Sequence, residues 1–271
     1  MDIAGQSALV TGSGSGIGRA AAVLLAERGA SVFLVDLDSA GLAETEKLIA
    51  KGGGEARSAT LDVSDKQMLE AAFTEATDWK VAPRIVINNA GIATGRPGFP
   101  RVPPEQWQKV VDVDLSAVMY GTHLAVEGMK DSGGAIVNTA SMAGLYAWPG
   151  EPIYSASKAG VVFLSRALAP LNEQYGIRVN CVCPGVVDTP LVRRGIELAE
   201  DEEIKKAMEN MPMIDPRQVA EGMATLIEDD SMAGQALMIL LEGNAIAEPH
   251  DPAAISASER ANRQQTLGTS R

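Results

Sequence analysis

Short apolar runs alternate with longer amphipathic stretches along most of the chain. The apolar runs, rich in β-branched residues, predict strands over residues 7–12, 31–36, 57–63, 84–90, 134–140, 178–183 and 235–241. The stretches between them predict helices over residues 17–29, 39–51, 65–78, 104–130, 152–175 and 216–229. Strands that alternate with helices of this length form βαβ units, which build a parallel sheet with helices on both faces. We therefore expect an α/β fold with one doubly wound, seven-stranded parallel sheet.

Two segments fall outside this alternation. Residues 186–215 follow the end of a predicted strand and mix apolar with acidic residues, so we expect a lid over a ligand or, alternatively, a plain surface excursion. Residues 245–271 have no apolar periodicity, and no further strand is expected there. The chain is therefore interpreted as a domain over residues 1–244 and a tail over residues 245–271 that is flexible or lies at a subunit interface.

Local signals indicate where helices begin and end. Pro170 lies inside the helix predicted over residues 152–175 and should kink or end it, because proline has no N–H and clashes with the preceding turn. Ser39 and Ser64 stand where N-cap residues are expected.

Composition and charge narrow the class of partner. The chain has 271 residues, of which 46% are hydrophobic and 21% charged, as in a folded globular protein. Its 35 acidic and 23 basic residues give a net charge of -12, which repels nucleic acid phosphates and anionic lipid. The sequence contains no signal-peptide pattern and no apolar run of about 18 residues. We expect a cytoplasmic protein that binds no nucleic acid and no membrane.

The few cysteines and histidines of the chain limit the metal sites that it can form. Cys181 and Cys183 lie in one apolar run, where we expect buried thiols on one face of a strand. With only His123 and His250 besides, a tetrahedral zinc site cannot be assembled. No metal is therefore expected.

A glycine-rich segment, Thr-Gly-Ser-Gly-Ser-Gly-Ile-Gly, occupies residues 11–18 between the first predicted strand and helix. Its glycines fit the spacing G-x-x-x-G-x-G, a variant of the dinucleotide-binding fingerprint. Glycines let the backbone approach a pyrophosphate closely, and the positive end of the helix dipole attracts it. The residues of this loop expected to bind a cofactor are Gly12, Ser15, Gly16, Ile17 and Gly18.

The second predicted strand ends at Asp36, 18 residues after Gly18. A carboxylate at this place accepts hydrogen bonds from an adenosine ribose and repels a 2'-phosphate. Neither serine of the loop is replaced by a basic residue. The cofactor is therefore expected to be NAD rather than NADP.

Three further residues form a candidate catalytic group. Tyr154 and Lys158 are four residues apart on a predicted helix and so share one face. A nearby ammonium stabilises phenolate, which makes tyrosine a usable general base. Ser141 follows a predicted strand, where its hydroxyl can hold a substrate oxygen. An enzyme with another adenine cofactor, such as a methyltransferase, would leave this group unexplained.

Taken in order, these elements resemble the short-chain dehydrogenase/reductase family over about residues 5–243. The resemblance rests on Thr11 to Gly18, Asp62, Asn88-Asn89-Ala90-Gly91, Ser141, Tyr154-Ser155-Ala156-Ser157-Lys158 and Pro184-Gly185. It implies a single-domain Rossmann fold and an oxidoreductase that interconverts a secondary alcohol and a ketone with NAD, with Tyr154 exchanging the proton.

The resemblance also implies a set of cofactor contacts. Asp62 and Val63 would flank the adenine, and Lys158 would bind the nicotinamide ribose beside Tyr154. Further contacts are implied for Asn89, Ala90 and Gly91 on the adenosine side and for Pro184, Gly185, Val187 and Thr189 near the nicotinamide.

One position departs from the family pattern. Seven residues after Trp107, where similar enzymes have a catalytic asparagine, this chain has Asp114. In those enzymes the backbone carbonyl of that residue holds a water that joins the lysine to solvent, a role that aspartate preserves. A carboxylate near Lys158 either opposes the effect of the lysine on Tyr154 or, when protonated, mimics the amide. The alternative function is therefore a nicotinamide-binding regulator or a weakly active homologue.

The resemblance extends to partners. Similar proteins associate through the helices predicted here over residues 104–130 and 152–175, which implies a homo-oligomer, a tetramer. Tyr146 and Trp148 fall in the loop that lines the substrate site of similar enzymes, and Phe99 lies in the loop after Gly91. Together with the leucines and methionines of the expected lid they either form an apolar pocket or are ordinary packing residues, and the pocket favours a small, apolar-leaning alcohol or ketone as substrate.

Overall fold

The computed structural model describes residues 1–95, 97–199 and 202–248. Among these residues, one sheet has the strand order β3-β2-β1-β4-β5-β6-β7-β8. The strands are Ser7–Thr11 (β1), Ser31–Asp36 (β2), Glu55–Thr60 (β3), Ile85–Asn88 (β4), Gly134–Thr139 (β5), Ile177–Pro184 (β6), Ala236–Leu240 (β7) and Gly243–Ile246 (β8). The first seven run parallel, and the strand order reverses between β1 and β4, so the doubly wound Rossmann fold expected from the sequence is confirmed.

Helices cover both faces of the sheet. They are Gly16–Glu27 (α1), Ser39–Lys51 (α2), Lys66–Trp79 (α3), Pro104–Val111 (α4), Ala117–Met129 (α5), Pro152–Ala167 (α6), Leu171–Tyr175 (α7), Pro190–Glu197 (α8), Glu202–Glu209 (α9) and Pro216–Glu228 (α10). Adjacent strand residues serve opposite faces: Val10 packs in the core cluster under α1, α2 and α10, whereas Leu9 packs in the cluster under α3 and α5. This double burial explains why the central strands are continuous apolar runs.

The eighth strand corrects the expected boundary of the tail. Residues 243–246 form β8, which pairs antiparallel with β7 at the edge of the sheet, so Ala245 belongs to a strand and not to a tail. The side chains of β8 are exposed, and the strand therefore has no apolar periodicity to detect. Ala247 continues the pairing by donating to the carbonyl of Ala236 at 2.8 Å. The rest of the expected tail, residues 249–271, lies outside the described residues.

The predicted helix over residues 152–175 is two helices. α6 ends at Ala167 and α7 begins at Leu171, with Pro170 at the junction, as the missing N–H of proline requires. The predicted helix over residues 104–130 is also divided, because a π-helical turn, Asp112–Ser116, separates α4 from α5.

Two other local expectations were wrong. The third strand ends at Thr60 and not at residue 63, so Asp62 and Val63 stand in the loop beyond it. The caps of α2 and α3 are aspartates, not the expected serines: Asp38 accepts from the Ala40 N–H at 3.1 Å, and Asp65 accepts from that of Gln67 at 2.9 Å. A carboxylate satisfies the free N–H groups and also favours the positive end of the helix dipole.

The part of the chain that the structure describes contains neither a membrane-spanning helix nor a cluster of metal-binding side chains. Within it, every helix is too short or too polar to cross a bilayer. Across the same residues, no group of three or more His, Cys, Asp or Glu side chains is arranged to hold a metal ion. Cys181 and Cys183 are buried free thiols in one core cluster.

Candidate active site

A cleft of about 340 Å³ opens where the strands end at their carboxyl side. Its position at the point where the strand order reverses is the usual ligand site of a doubly wound sheet. All the cofactor and catalytic residues expected from the sequence line it except Gly18 and Asp114, which lie behind its wall: Gly12, Ser15, Gly16, Ile17, Asp36, Asp62, Val63, Asn89, Ala90, Gly91, Ser141, Tyr154, Lys158, Pro184, Gly185, Val187 and Thr189. Residues distant in sequence therefore meet in one place.

The glycine-rich loop can adopt its path only because it lacks side chains. Gly12 has a φ of +67°, and a Cβ there would lie 2.8 Å from the Ala90 Cα. A Cβ at Gly18 would collide with the carbonyl oxygen of Gly12. The loop thus packs directly against the segment after β4, and its backbone borders the cleft where a pyrophosphate can approach.

Asp36 holds the same loop from the end of β2. One carboxylate oxygen accepts from the Gly14 N–H at 2.8 Å and the other from the Asp38 N–H at 2.9 Å. Arg19 reaches across the loop and donates to the carbonyl of Gly14 and to Thr45 Oγ1, the latter at 3.1 Å. Asp36 lines the cleft beside the loop, while the guanidinium of Arg19 is directed at backbone and side-chain oxygens of the protein.

Asn89 joins three strands beneath the cleft. Its side-chain amide donates to the carbonyls of Thr11 at 3.1 Å and Gly12 at 3.2 Å, and its side-chain oxygen accepts from Thr139 Oγ1 at 3.2 Å. Thr11 Oγ1 in turn accepts from the backbone N–H groups of Asn89 and Ala90. This network ties the glycine-rich loop to β4 and β5, which fixes one side of the site.

Ser141, Tyr154 and Lys158 come together at the other side. Ser141 follows β5, and its hydroxyl accepts from the Ala143 N–H at 3.1 Å. Lys158 donates to the carbonyl of Thr139 at 3.0 Å, and its Nζ lies 5.5 Å from the centre of the Tyr154 ring. The lysine side chain is only 3% exposed, so its charge acts through protein rather than through water.

The ionisation of Tyr154 responds to several neighbours. Burial raises the pKa of its phenol above the ordinary value, while the Lys158 ammonium and a hydrogen bond with Ser141 lower that pKa. The charges of Asp114 and Glu151 raise it. A positively charged nicotinamide would act in the same sense as the lysine, so a bound oxidised cofactor favours phenolate.

Asp114 lies in the π-helical turn and contacts Lys158 directly. Its Oδ2 is 3.0 Å from the lysine Nζ, and its Oδ1 accepts from the Ile92 N–H at 2.8 Å. Burial raises the pKa of this carboxyl, and the lysine charge opposes that effect. The position that departs from the family pattern is thus in contact with the catalytic group.

The cleft includes residues that sequence reasoning missed. They are Leu37, Leu61, Ile92, Lys109, Val113, Thr139 and Ala140, whereas Pro190, Leu191 and Val192 belong to the segment expected to form a lid. Lys109 and Val113 are one helical turn apart and so border the cleft from the same side, but neither belongs to a motif that marks it in the sequence. The charge of Lys109 lowers the pKa of Asp62 across the cleft, after the larger effect of hydrogen bonds from Ser64.

Three aromatic residues expected at the substrate site are not among those that line the cleft. Tyr146, Trp148 and Phe99 are exposed by 66%, 51% and 59% of their surface, respectively. The expectation that they form an apolar pocket is therefore not met in this structure. The apolar side chains of the cleft are instead aliphatic, among them Ile92, Leu191 and Val192.

Residues 6–198 match the family model described as short chain dehydrogenase. The chain is 33% identical over 249 residues to a levodione reductase of Leifsonia aquatica, covering 88% of this chain and 93% of that protein. It is also 33% identical over 255 residues to a human 15-hydroxyprostaglandin dehydrogenase [NAD(+)], covering 88% and 92%.

Solved structures agree with these relatives. A crystal structure of levodione reductase matches with a TM-score of 0.81 and 32% identity, covering 87% of this chain and 96% of that one. A carveol dehydrogenase from Mycobacterium avium in complex with NAD matches with a TM-score of 0.79 and 27% identity, covering 88% and 97%. The similarity therefore spans the relatives almost completely.

Proposed function

The chain belongs to the short-chain dehydrogenase family, and from that premise we propose that it is an NAD-dependent oxidoreductase that interconverts a secondary alcohol and a ketone. The observation that carries this proposal is the meeting of Ser141, Tyr154 and Lys158 in the same cleft as the glycine-rich loop. A proton-exchanging group and a dinucleotide cradle in one cleft are the two requirements of such a reaction.

The residues of the cleft suit NAD. Gly12 and Gly18 let the loop pack closely on Ala90 and on itself, so that its backbone borders the cleft at the N terminus of α1, where a pyrophosphate would bind. Asp36 presents a carboxylate where the adenosine ribose hydroxyls would lie. A carboxylate there disfavours the 2'-phosphate of NADP. The bound cofactor supplies hydride exchange with the substrate carbon. Among the similar proteins, one is named as an NAD(+) dehydrogenase and another was solved in complex with NAD, and both support NAD as the cofactor.

In this mechanism the protein positions the substrate and moves one proton. The Ser141 hydroxyl donates to the substrate oxygen and holds it beside the Tyr154 phenol. In alcohol oxidation the phenolate of Tyr154 takes the hydroxyl proton, and in ketone reduction the phenol returns it. Lys158, held by the Thr139 carbonyl, stabilises the phenolate by charge and would also bind the nicotinamide ribose.

Residues 186–215 act in this proposal as a lid over the substrate. The base of the segment is closed by two hydrogen bonds, from the Ile214 N–H to the Val186 carbonyl at 2.8 Å and from the Asp188 N–H to the Ile214 carbonyl at 2.9 Å. Leu191 and Val192 line the cleft from this segment. These aliphatic contacts support an apolar alcohol or ketone as substrate.

The proposal includes a homo-oligomer, a tetramer, in the cytoplasm. α5 and α6 each expose a large apolar side chain, Met119 with 50% of its surface accessible and Phe163 with 58%, which support association through these helices. Free thiols at Cys181 and Cys183 are in keeping with a reducing compartment. Size-exclusion chromatography with light scattering measures the oligomeric state.

The decisive experiment is to follow NADH absorbance with NAD and a panel of apolar secondary alcohols, in parallel with NADP. The Tyr154→Phe variant should lose at least about 100-fold in turnover, the usual contribution of a general base, while it still binds NADH. Tyr175→Phe, at the end of α7, is the matched control and should keep its activity. Full turnover by Tyr154→Phe would remove the tyrosine from the mechanism.

The alternative, a nicotinamide-binding regulator, is favoured by one observation. Asp114 lies 3.0 Å from Lys158 and offsets the charge that activates Tyr154. Binding of NADH without turnover, both in the natural protein and in Asp114→Asn, would support this alternative. Turnover in either protein would exclude it.

A further inference from the structure

Asp114 and Lys158 form a buried ion pair next to the proposed general base. The aspartate side chain is 0% exposed and the lysine side chain 3%, and their nearest atoms are 3.0 Å apart. Gly91 lies directly over the pair, since a Cβ there would be 3.2 Å from Asp114 Oδ2 and 3.3 Å from Lys158 Nζ. The pair is thus sealed from bulk water by backbone, where a charge acts strongly on its neighbours.

The contacts of Asp114 favour one of the two protonation states that the sequence left open. Asp114 Oδ1 accepts from the Ile92 N–H, and Oδ2 faces the lysine ammonium, which can only donate. Both oxygens are therefore faced by donors, and a cation beside Oδ2 favours the negative charge over a proton. The arrangement suits a carboxylate and not a neutral acid that imitates an amide.

We infer that Asp114 is a positioning residue that acts through Lys158 and sets the pH range in which Tyr154 gives up its proton. Its carboxylate offsets the ammonium, so Tyr154 remains a phenol at a higher pH than it would beside a neutral side chain at position 114. This inference rests on the proposed function. It implies that the site at neutral pH is biased toward donating a proton to a ketone rather than accepting one from an alcohol.

The other groups around the pair do not replace this effect. Lys158 is faced by the Thr139 carbonyl from β5, by the Cys183 thiol from β6 and by Tyr154 on its own helix. Tyr154 is faced in addition by the Ser141 hydroxyl, which stabilises phenolate, and by Glu151, which opposes it. Glu151 is partly exposed and holds the Thr94 N–H at 3.2 Å, so its charge is better screened by solvent than that of Asp114.

The test is a spectroscopic titration that does not depend on turnover. Phenolate absorbance of the protein without added cofactor is measured against pH, and subtraction of the Tyr154→Phe curve isolates Tyr154 from the other three tyrosines. The same subtraction is made in the Asp114→Asn background. The midpoint of Tyr154 should fall by about 1 pH unit or more once the opposing charge is removed. Asp114→Ser, a second neutral variant, should move it in the same direction.

Asp112→Asn is the matched control. Asp112 lies in the same π-helical turn but accepts from Gln108 at the surface, so its removal should leave the midpoint unchanged. An unchanged or higher midpoint in the folded Asn and Ser variants would overturn the inference. If substrates are turned over, the acid limb of alcohol oxidation should shift together with the midpoint. A shifted midpoint without turnover by any variant would instead count against the proposed function alone.

Discussion

The Lys158 ammonium lies 3.0 Å from the Asp114 carboxylate at a place from which solvent is excluded. The partners are 44 positions apart in sequence and belong to α6 and to the π-helical turn, so the contact also joins two elements beside the cleft. Its chemical and structural roles can be separated by substitution.

Lys158→Met should destabilise the fold by about 3–5 kcal/mol, because it leaves the Asp114 carboxylate buried without a counter-charge. The double variant Lys158→Met with Asp114→Asn should recover part of that loss. Urea denaturation of the natural protein, the two single variants and the double variant measures the loss of stability and its recovery. If Lys158→Met costs the same stability in the Asp114→Asn background as in the natural protein, the two residues are not coupled.

Asp36→Ala should weaken NADH binding by about 1.5–3 kcal/mol, the usual worth of a hydrogen bond to a charged group, and should weaken NADPH binding less. The ratio of the affinities for NADH and NADPH should therefore become smaller. Fluorescence titration with NADH and with NADPH measures the two affinities. Asp38→Ala is the control, since it removes the cap of α2 at a cost of about 1 kcal/mol in stability and should leave the preference intact. An unchanged preference in Asp36→Ala would contradict the assignment.

Gly18→Ala should abolish NADH binding and lower stability by about 1–3 kcal/mol, because the added methyl group collides with the Gly12 carbonyl. Gly128→Ala, also within a helix, adds its methyl group to open space and should raise stability by up to about 1 kcal/mol. Thermal denaturation and cofactor titration compare the two. Normal NADH binding by Gly18→Ala would mean that the loop is not packed as described.

Asp62 makes stability depend on pH. Hydrogen bonds from the Ser64 hydroxyl at 2.7 Å and its N–H at 3.0 Å lower the pKa of Asp62. A lowered pKa stabilises the fold above the ordinary value for aspartate, about 3.9, and the contribution is lost as the pH falls through the folded-state pKa. Ser64→Ala should therefore lose about 0.5–1.5 kcal/mol at neutral pH and progressively less in acid. A stability difference that is constant from neutral pH into acid would refute this origin.

The pattern of the sequence was sufficient for the architecture and for most of the cleft. Alternating apolar runs and amphipathic stretches predict a parallel sheet because strands buried on both faces must be apolar throughout. Asp36 and Ser141 were placed by the rule that ligands bind at the carboxyl ends of strands, and Tyr154 and Lys158 by the helical period. All four line the cleft.

The missed elements share a physical cause. All four residues of β8 are exposed and the first is glycine, so nothing in residues 243–246 signals a strand, which forms by pairing with the edge of β7. The π-helical turn is likewise invisible to a helical pattern that continues through it. Tyr146 and Trp148 are aromatic residues of the kind that line apolar pockets, but the path of their loop leaves them at the surface.

By itself, the sequence determined the fold class and predicted the residues of the cofactor cradle and of the proposed proton-exchanging group, because each depends on spacing within one strand, helix or turn. Only the tertiary structure showed which groups face the oxygens of Asp114. A carboxylate and a neutral acid are the same letter in a sequence, and the choice depends on whether a donor or an acceptor faces each oxygen. That information lies in Ile92 and Lys158, which the fold brings to Asp114 from opposite directions along the chain.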